Sequence, residues 1–327
     1  MTTKTVRLGR SGLEISGLVL GMMSYGVPDG ALPWVLDIEQ ARPIVRRAYE
    51  AGITSFDTSN NYASGTSEEI TGALVKELGP RESTQVFTKV FAPTTPHAGR
   101  NGRGLSRANI LRSIDESLTR LGLDYVDLYQ VHRFDPTVPA EETMEALHDV
   151  VKTGKARYLG ASSMWTWQFA QLQHTAELHG WTKFISMQDQ YSLLQREEER
   201  EMHPYALSTG IGVIPWAPLA GGYVARPWGE AGSSARTELD VFGASLNTDS
   251  SKEIVDAVEA VAAERGVPMA QVALAWIADK SAVSAPIIGA TKSHHVDDAI
   301  AALDLSLTQS EIDRLEAAYT PRTPTGF

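Results

Sequence analysis

A chain of 327 residues, 43% hydrophobic and 21% charged, is long enough to bury a large core and has the composition of an ordinary globular protein. Its net charge of -11 arises from interspersed acids and bases, with no basic run of the kind that seats on nucleic acid or an anionic membrane surface. It contains no cysteine, which excludes a disulfide framework and a thiolate metal site.

The N-terminal stretch MTTKTVRLGRSGLEIS lacks an apolar signal core. No stretch approaches the roughly 18 apolar residues of a membrane span, so a cytoplasmic protein is the expectation. Residues 5–15, with Ser11 and Gly12 at the centre, read as a hairpin. Apolar or β-branched runs then recur at 17–21, 53–57, 86–90, 125–131, 156–160, 184–188, 212–216 and 285–289. Helical patterns lie between them. Residues 106–120 place Ile110, Leu111, Ile114 and Leu118 on one face, with Ser106 as N-cap. Residues 141–152 stop before Gly154, and 251–265 stop before Gly266. Thr308 and Glu311 form a capping box ahead of a last helix.

Eight strand–helix alternations imply parallel strands joined by helical crossovers. The continuously apolar strands are those of a sheet covered on both faces. The fold expected is an α/β (β/α)8 TIM barrel, one domain over 1–327, with the hairpin plugging its floor and a long loop at 217–250 after strand seven. An open doubly wound sheet would want a G-x-G-x-x-G turn after the first strand, which here ends GMMSYG.

In a barrel the chemistry stands at the C-terminal strand ends. Strand two ends in Asp57, and Tyr62 follows in its loop. Strand three carries Lys89, and strand four ends in His132. Singly, each has an ordinary reading: a turn aspartate, a rim tyrosine, a satisfied polar histidine. Lys89 is the exception, because it interrupts the apolar run VFTKVF and a buried lysine requires a partner. Asp57 on the neighbouring strand supplies one. A lysine beside a phenol favours the phenolate, so Tyr62 becomes an acid able to protonate an oxygen on which charge develops. His132 can hydrogen-bond the same oxygen. That chemistry fits carbonyl reduction.

At Asp57, Tyr62, Lys89 and His132 the chain resembles the aldo-keto reductase superfamily. The resemblance continues through LGRSGLEISGLVLGMMSYG, GITSFDTSNNYASGTSEEITGAL, VHRFDPTVPAEETMEALHDVVKTGKARYLGASS, WAPLAGG and PIIGATKSHHVDDAIAALDLSLT. The branch looks like the bacterial relatives of the potassium-channel β-subunits rather than the human aldose reductases. The resemblance implies the barrel, NADPH/NADP+ as cofactor, and a small carbonyl substrate as partner, with no nucleic acid, membrane or metal. It carries no signal for an oligomeric state. It also implies that a flexible SNNYASG loop lets Tyr62 reach the carbonyl.

The same resemblance assigns the cofactor positions. Ser162 and Ser163, Gln188 and Trp216 would meet the nicotinamide, beside Asp57, Gly21 and Met22. Ala217, Leu219, Gly221 and Arg226 would fold over the pyrophosphate. Gly289, Thr291, Lys292, His295 and Asp298 would hold the adenosine end. There a strand runs into a helix N-terminus, an anion site where Lys292 is electrostatically out of place without a phosphate. Ser163 stands where relatives usually carry Asn, and Ala299 where an Asn often meets the adenine. Tyr25, Trp34, Trp165 and Trp228 are expected to wall the pocket against aromatic or bulky carbonyls. A slow-turnover redox sensor or auxiliary subunit is the alternative function.

Overall fold

In a computed structural model, residues 3–28, 33–95, 98–230, 246 and 249–324 are described. The hairpin is β1 (Thr5–Arg7) and β2 (Glu14–Ser16), antiparallel. The eight expected strands follow: β3 (Val19–Gly21), β4 (Ser55–Asp57), β5 (Gln85–Val90), β6 (Val126–Val131), β7 (Ala156–Ser162), β8 (Phe184–Gln188), β9 (Gly212–Val213) and β10 (Ile287–Gly289). They form one parallel sheet in the order β10-β3-β4-β5-β6-β7-β8-β9. The edges meet: Ser284 N–H donates to Val213 O at 2.8 Å and Ile287 N–H to Pro215 O at 2.9 Å, so the sheet closes into a barrel. The expected runs at 212–216 and 285–289 are shorter as strands because Pro215 and Pro286 have no N–H for the ladder.

The helices are α1 (Ile38–Glu50), α2 (Thr66–Leu78), α3 (Arg107–Leu121), α4 (Ala140–Lys152), α5 (Thr166–His179), α6 (Met202–Thr209), α7 (Asp249–Arg265), α8 (Met269–Ala278), α9 (Ser293–Ala302) and α10 (Gln309–Glu316). Ser106 caps α3 and the Thr308–Glu311 box opens α10, both as the sequence predicts. Among the described residues no helix is long and apolar enough to cross a membrane. Of the loop after strand seven, Ala220–Ala225 form a 3-10 turn; 231–245 and 247–248 lie outside the described residues.

Strand side chains alternate with period two, and this builds the molecule in layers. Leu8, Leu13 and Ile15 of the hairpin are buried against Val19, Phe87, Leu128, Ile214, Ala285 and Ile287. That layer is the plugged floor. Two residues further along the same strands stand Gly21, Lys89, Gln130, Trp216 and Gly289, with Asp57 and Gln188 at the ends of β4 and β8. Alternation thus places the polar layer directly above the apolar floor. The plug sits so close to β9 that a Cβ on Gly9 would lie 2.4 Å from Gly210 O, at φ +59. Only glycine makes that approach without strain.

Candidate active site

Lys89 is fully buried, 0% exposed, and its position inside the barrel follows from its place two residues above Phe87. Its Nζ donates to Asp57 Oδ2 at 2.5 Å, to Thr58 O at 2.8 Å and to Tyr62 Oη at 3.2 Å. The ammonium therefore spends its three protons on one carboxylate, one carbonyl and one phenol. Burial pushes its pKa down, but the Asp57 charge and the Tyr62 phenol outweigh that and the net shift is upward. Lys89 is a fixed cation.

Asp57 is almost fully buried, and its other oxygen is held by two amides. Gln130 Nε2 and Gln188 Nε2 each donate to Oδ1 at 2.9 Å. Gln188 also donates to Gln130 Oε1 at 3.2 Å. Gln130 is a site residue that sequence reasoning missed. The signal was there: it interrupts the apolar run of β6, as Lys89 does in β5, and the two are register partners. Gly160 makes room for it, since a Cβ there would lie 3.0 Å from Gln130 Cγ.

Tyr62 opens a 3-10 turn (Tyr62–Gly65) between β4 and α2. The segment expected to be a flexible loop is tightly hydrogen-bonded. Tyr62 N–H donates to Ser59 O, and Thr66 Oγ1 donates to Ala63 O at 2.7 Å while accepting from Val27 N–H at 2.9 Å. Ala63, Ser64 and Gly65 all lie at positive φ. Two left-handed non-glycine residues cost on the order of 1–2 kcal/mol each. They turn the chain so that the phenol faces Lys89. Gly26 accommodates the turn, because a Cβ there would collide with Ala63 Cβ at 2.3 Å.

His132 meets Tyr62 edge-on, ring centroids 5.8 Å apart. Its Nδ1 hydrogen-bonds Ser59 Oγ at 3.2 Å, and among the described residues Nε2 has no hydrogen-bond partner. Burial, then the Lys89 and Arg133 charges, hold its pKa well below the ordinary histidine range. At neutral pH it is an uncharged imidazole. The four candidate catalytic residues are thus brought together around one phenolic oxygen.

The nicotinamide candidates also converge. Gly21 pairs with Asp57 on one side and with Gly289 on the other. Met22 is the exception: it is fully buried and its carbonyl accepts from Ser67 Oγ at 2.8 Å and Tyr25 N–H at 3.0 Å, so it offers no surface to a cofactor. Ser162 Oγ donates to Gln188 O at 2.8 Å, and Trp216 Nε1 donates to Ser163 Oγ at 3.0 Å. Ser163 holds a left-handed φ of 40. Ala217 and Gly221 do the same at φ 53 and 69, in the turn that carries Leu219 toward Arg226.

The adenosine candidates gather at the start of α9, whose N-cap is Lys292. Thr291 N–H donates to His295 Nδ1 at 3.3 Å. His295 is held below its ordinary pKa by burial and by His294, Lys292 and Arg226. Arg226 therefore lies in the same electrostatic cluster despite being distant in sequence. Among the described residues neither Lys292 nor Arg226 forms an ion pair with a carboxylate. Asp298 accepts from Gln271 at 2.9 Å, and Asp297 is paired with Arg47. Cations unmatched at a helix N-terminus fit a phosphorylated ligand. The rings of His294 and His295 stand 4.6 Å apart, edge to face.

The expected pocket wall is corrected at one position. Tyr25 is 0% exposed and donates its hydroxyl to Ala290 O at 2.8 Å, so it braces β10 and offers no surface to a substrate. Trp34 is partly buried ahead of α1. Trp165, 44% exposed, caps α5 two residues beyond Ser163, and Trp228 lies 6.3 Å from Tyr223. Sequence reasoning passed over Phe134 and Trp167, whose rings meet at 6.0 Å at the same mouth.

Residues 17–320 match the profile described as the Aldo/keto reductase family. The chain is 43% identical to a versiconal hemiacetal acetate reductase of Aspergillus parasiticus, over 97% of each chain. It is 43% identical to a putative aryl-alcohol dehydrogenase of Schizosaccharomyces pombe, over 96% of this chain and 95% of that one. It is 41% identical to another putative aryl-alcohol dehydrogenase, from Saccharomyces cerevisiae, over 98% of each.

Proposed function

Because the chain belongs to the Aldo/keto reductase family, an oxidoreductase family acting on carbonyl and alcohol groups, we propose that it reduces aldehydes and ketones to alcohols with NADPH, Tyr62 giving the proton. A bound reduced nicotinamide supplies the hydride. The chain's own part is to hold the substrate oxygen and protonate it. The observation that carries the reading is the phenol of Tyr62 held 3.2 Å from a fully buried ammonium that Asp57 anchors. As the oxygen gains negative charge, Tyr62 Oη transfers its proton to it. Lys89 stabilises the phenolate left behind. His132, uncharged, hydrogen-bonds the same oxygen through Nε2 and orients it. The preference for NADPH rests on Lys292 and Arg226 at the α9 N-terminus. All these groups hang on one barrel, which supports a single catalytic domain.

The relatives named above are fungal. The kinship with bacterial relatives of the potassium-channel β-subunits rests on the sequence motifs alone. Steady-state NADPH oxidation over a panel of aldehydes, ketones and α-dicarbonyls tests the reading. Turnover supports the reductase; binding of NADPH without turnover would favour a redox sensor. Tyr62→Phe should lose roughly a hundred- to ten-thousand-fold in kcat with its NADPH Kd retained. Near-normal turnover by that variant removes Tyr62 from the mechanism.

A further inference from the structure

Arg133 follows His132 directly, at the C-terminal mouth of the barrel. Its guanidinium is partly buried, and Nη1 donates to the His132 carbonyl at 2.5 Å. Among the described residues that is its one hydrogen bond, and no carboxylate pairs with it. Several other partly buried arginines are paired with carboxylates. Arg81 has Asp127 at 2.6 Å, Arg120 has Glu68 at 2.7 Å, and Arg196 has Glu199 at 2.8 Å. The chain has 40 acidic residues against 29 basic, so partners are not scarce. A half-buried cation without an anion is costly. At a substrate mouth the missing anion is one that a ligand brings.

The surroundings agree. Arg133 is bonded to the carbonyl of His132, whose ring meets that of Tyr62 at 5.8 Å, and its charge acts on both residues, which sets it close to the reacting end of the pocket. Phe134 follows it in the chain and meets Trp167 of α5, ring centroids 6.0 Å apart, and Trp167 and Trp165 are 61% and 44% exposed. The two tryptophans follow β7, the strand beside β6, so the end of the barrel that carries Arg133 also carries an exposed apolar rim. We propose that Arg133 binds an oxyanion, carboxylate or phosphate, carried by the substrate, so that the preferred substrates are anionic carbonyl compounds. This rests on the reductase reading above and specifies the substrate class of that site. The planar fork of arginine suits such a group better than the point charge of a lysine.

The test compares matched substrates: 4-formylbenzoate with its methyl ester, and glyceraldehyde 3-phosphate with glyceraldehyde. The wild type should favour one anionic member by about tenfold or more in kcat/KM, as one charged hydrogen bond implies. The arm that shows the preference identifies carboxylate or phosphate. In Arg133→Met that ratio should collapse by about tenfold, mainly through KM, and Arg133→Lys should restore part of it. A ratio unchanged within twofold in Arg133→Met overturns the proposal, as does a wild type indifferent to charge in both arms. A shifted pH profile with equal losses on all substrates also overturns it, since Arg133 would then act on Tyr62. If no carbonyl is reduced at all, the reductase reading fails on its own. Calorimetric binding of 4-formylbenzoate and its ester to wild type and Arg133→Lys then still decides the anion site. If Arg133→Met does not fold, inhibition of the wild type by benzoate against benzamide serves, and equal inhibition overturns the proposal.

Discussion

A lysine with no access to water holds the site together at the residue scale. Lys89 stays charged because Asp57 and Tyr62 outweigh its burial. Asp57 in turn accepts from Lys89, Gln130 and Gln188. Removing one member leaves the other as an uncompensated buried charge, which costs about 3–5 kcal/mol. Lys89→Met and Asp57→Asn should therefore each lose activity and stability, and the double variant should lose little more. A kinetic double-mutant cycle in which the losses multiply would show that the two act separately. The sign of the pH effect follows from the upward shift of Lys89. Its contribution to stability is complete below the unfolded-state value and is lost only as pH rises through the still higher folded value. His132 is opposite. Its depressed pKa means that stability falls as pH drops below the ordinary histidine range, because only the unfolded chain takes the proton readily. The Asp57–Lys89 pair was legible in the sequence because a lysine breaks an apolar strand. Gln130 gives the same signal in β6, but an amide is neutral and its burial demands less explanation.

At the scale of the element, the proposed preference for NADPH over NADH rests on α9. Its N-terminus combines free N–H groups, the positive dipole end and Lys292 at the cap. A 2′-phosphate there gains one charged hydrogen bond, discounted by solvent to the order of a tenfold preference. Lys292→Ala should weaken NADPH binding by about that factor and barely touch NADH. Fluorescence quenching with both cofactors measures it, and equal losses would mean that Lys292 does not read the phosphate. His295 contributes as a neutral acceptor of the Thr291 N–H, since burial and its cationic neighbours keep the proton off. The Tyr62 turn makes a second point at this scale. Its small polar residues suggested freedom, yet Ala63 and Ser64 are held left-handed against Gly26. Small residues there serve close approach.

Across the whole molecule, the hairpin plug and the closed sheet support the site from below. Gly9→Ala puts a left-handed alanine, about 1 kcal/mol by itself, against the Gly210 carbonyl. For a chain of this size Tm should drop by more than roughly 2 °C, with kcat of the folded protein retained. Calorimetry and assay together check this; an unchanged Tm would mean that the plug shifts freely. Glu198 marks a second whole-molecule effect. Burial, then the Asp189 and Glu197 charges, raise its carboxyl from 4.5 to about 9. The folded protein keeps a proton that the unfolded chain has lost, so stability falls as pH rises between those values. Glu198→Gln should raise Tm more at pH 8 than at pH 5. A gain of equal size at both would rule out that titration.

Strand order, barrel closure and the four residues at the strand mouths follow from local pattern. Period two fixes which strand residues share a face, and apolar runs spaced by amphipathic helices leave few ways to close a sheet. Asp57, Lys89 and His132 stand at predictable strand ends for that reason. What the tertiary structure alone decided depends on distances between segments far apart in sequence. Tyr25 reads as a loop aromatic, but its hydroxyl reaches Ala290, and that contact buries it. Arg226 and His295, 69 positions apart, act on each other electrostatically only in the folded chain. Whether Arg133 has a partner is likewise a fact about space. Local periodicity carries the direction of a side chain but not what stands opposite it.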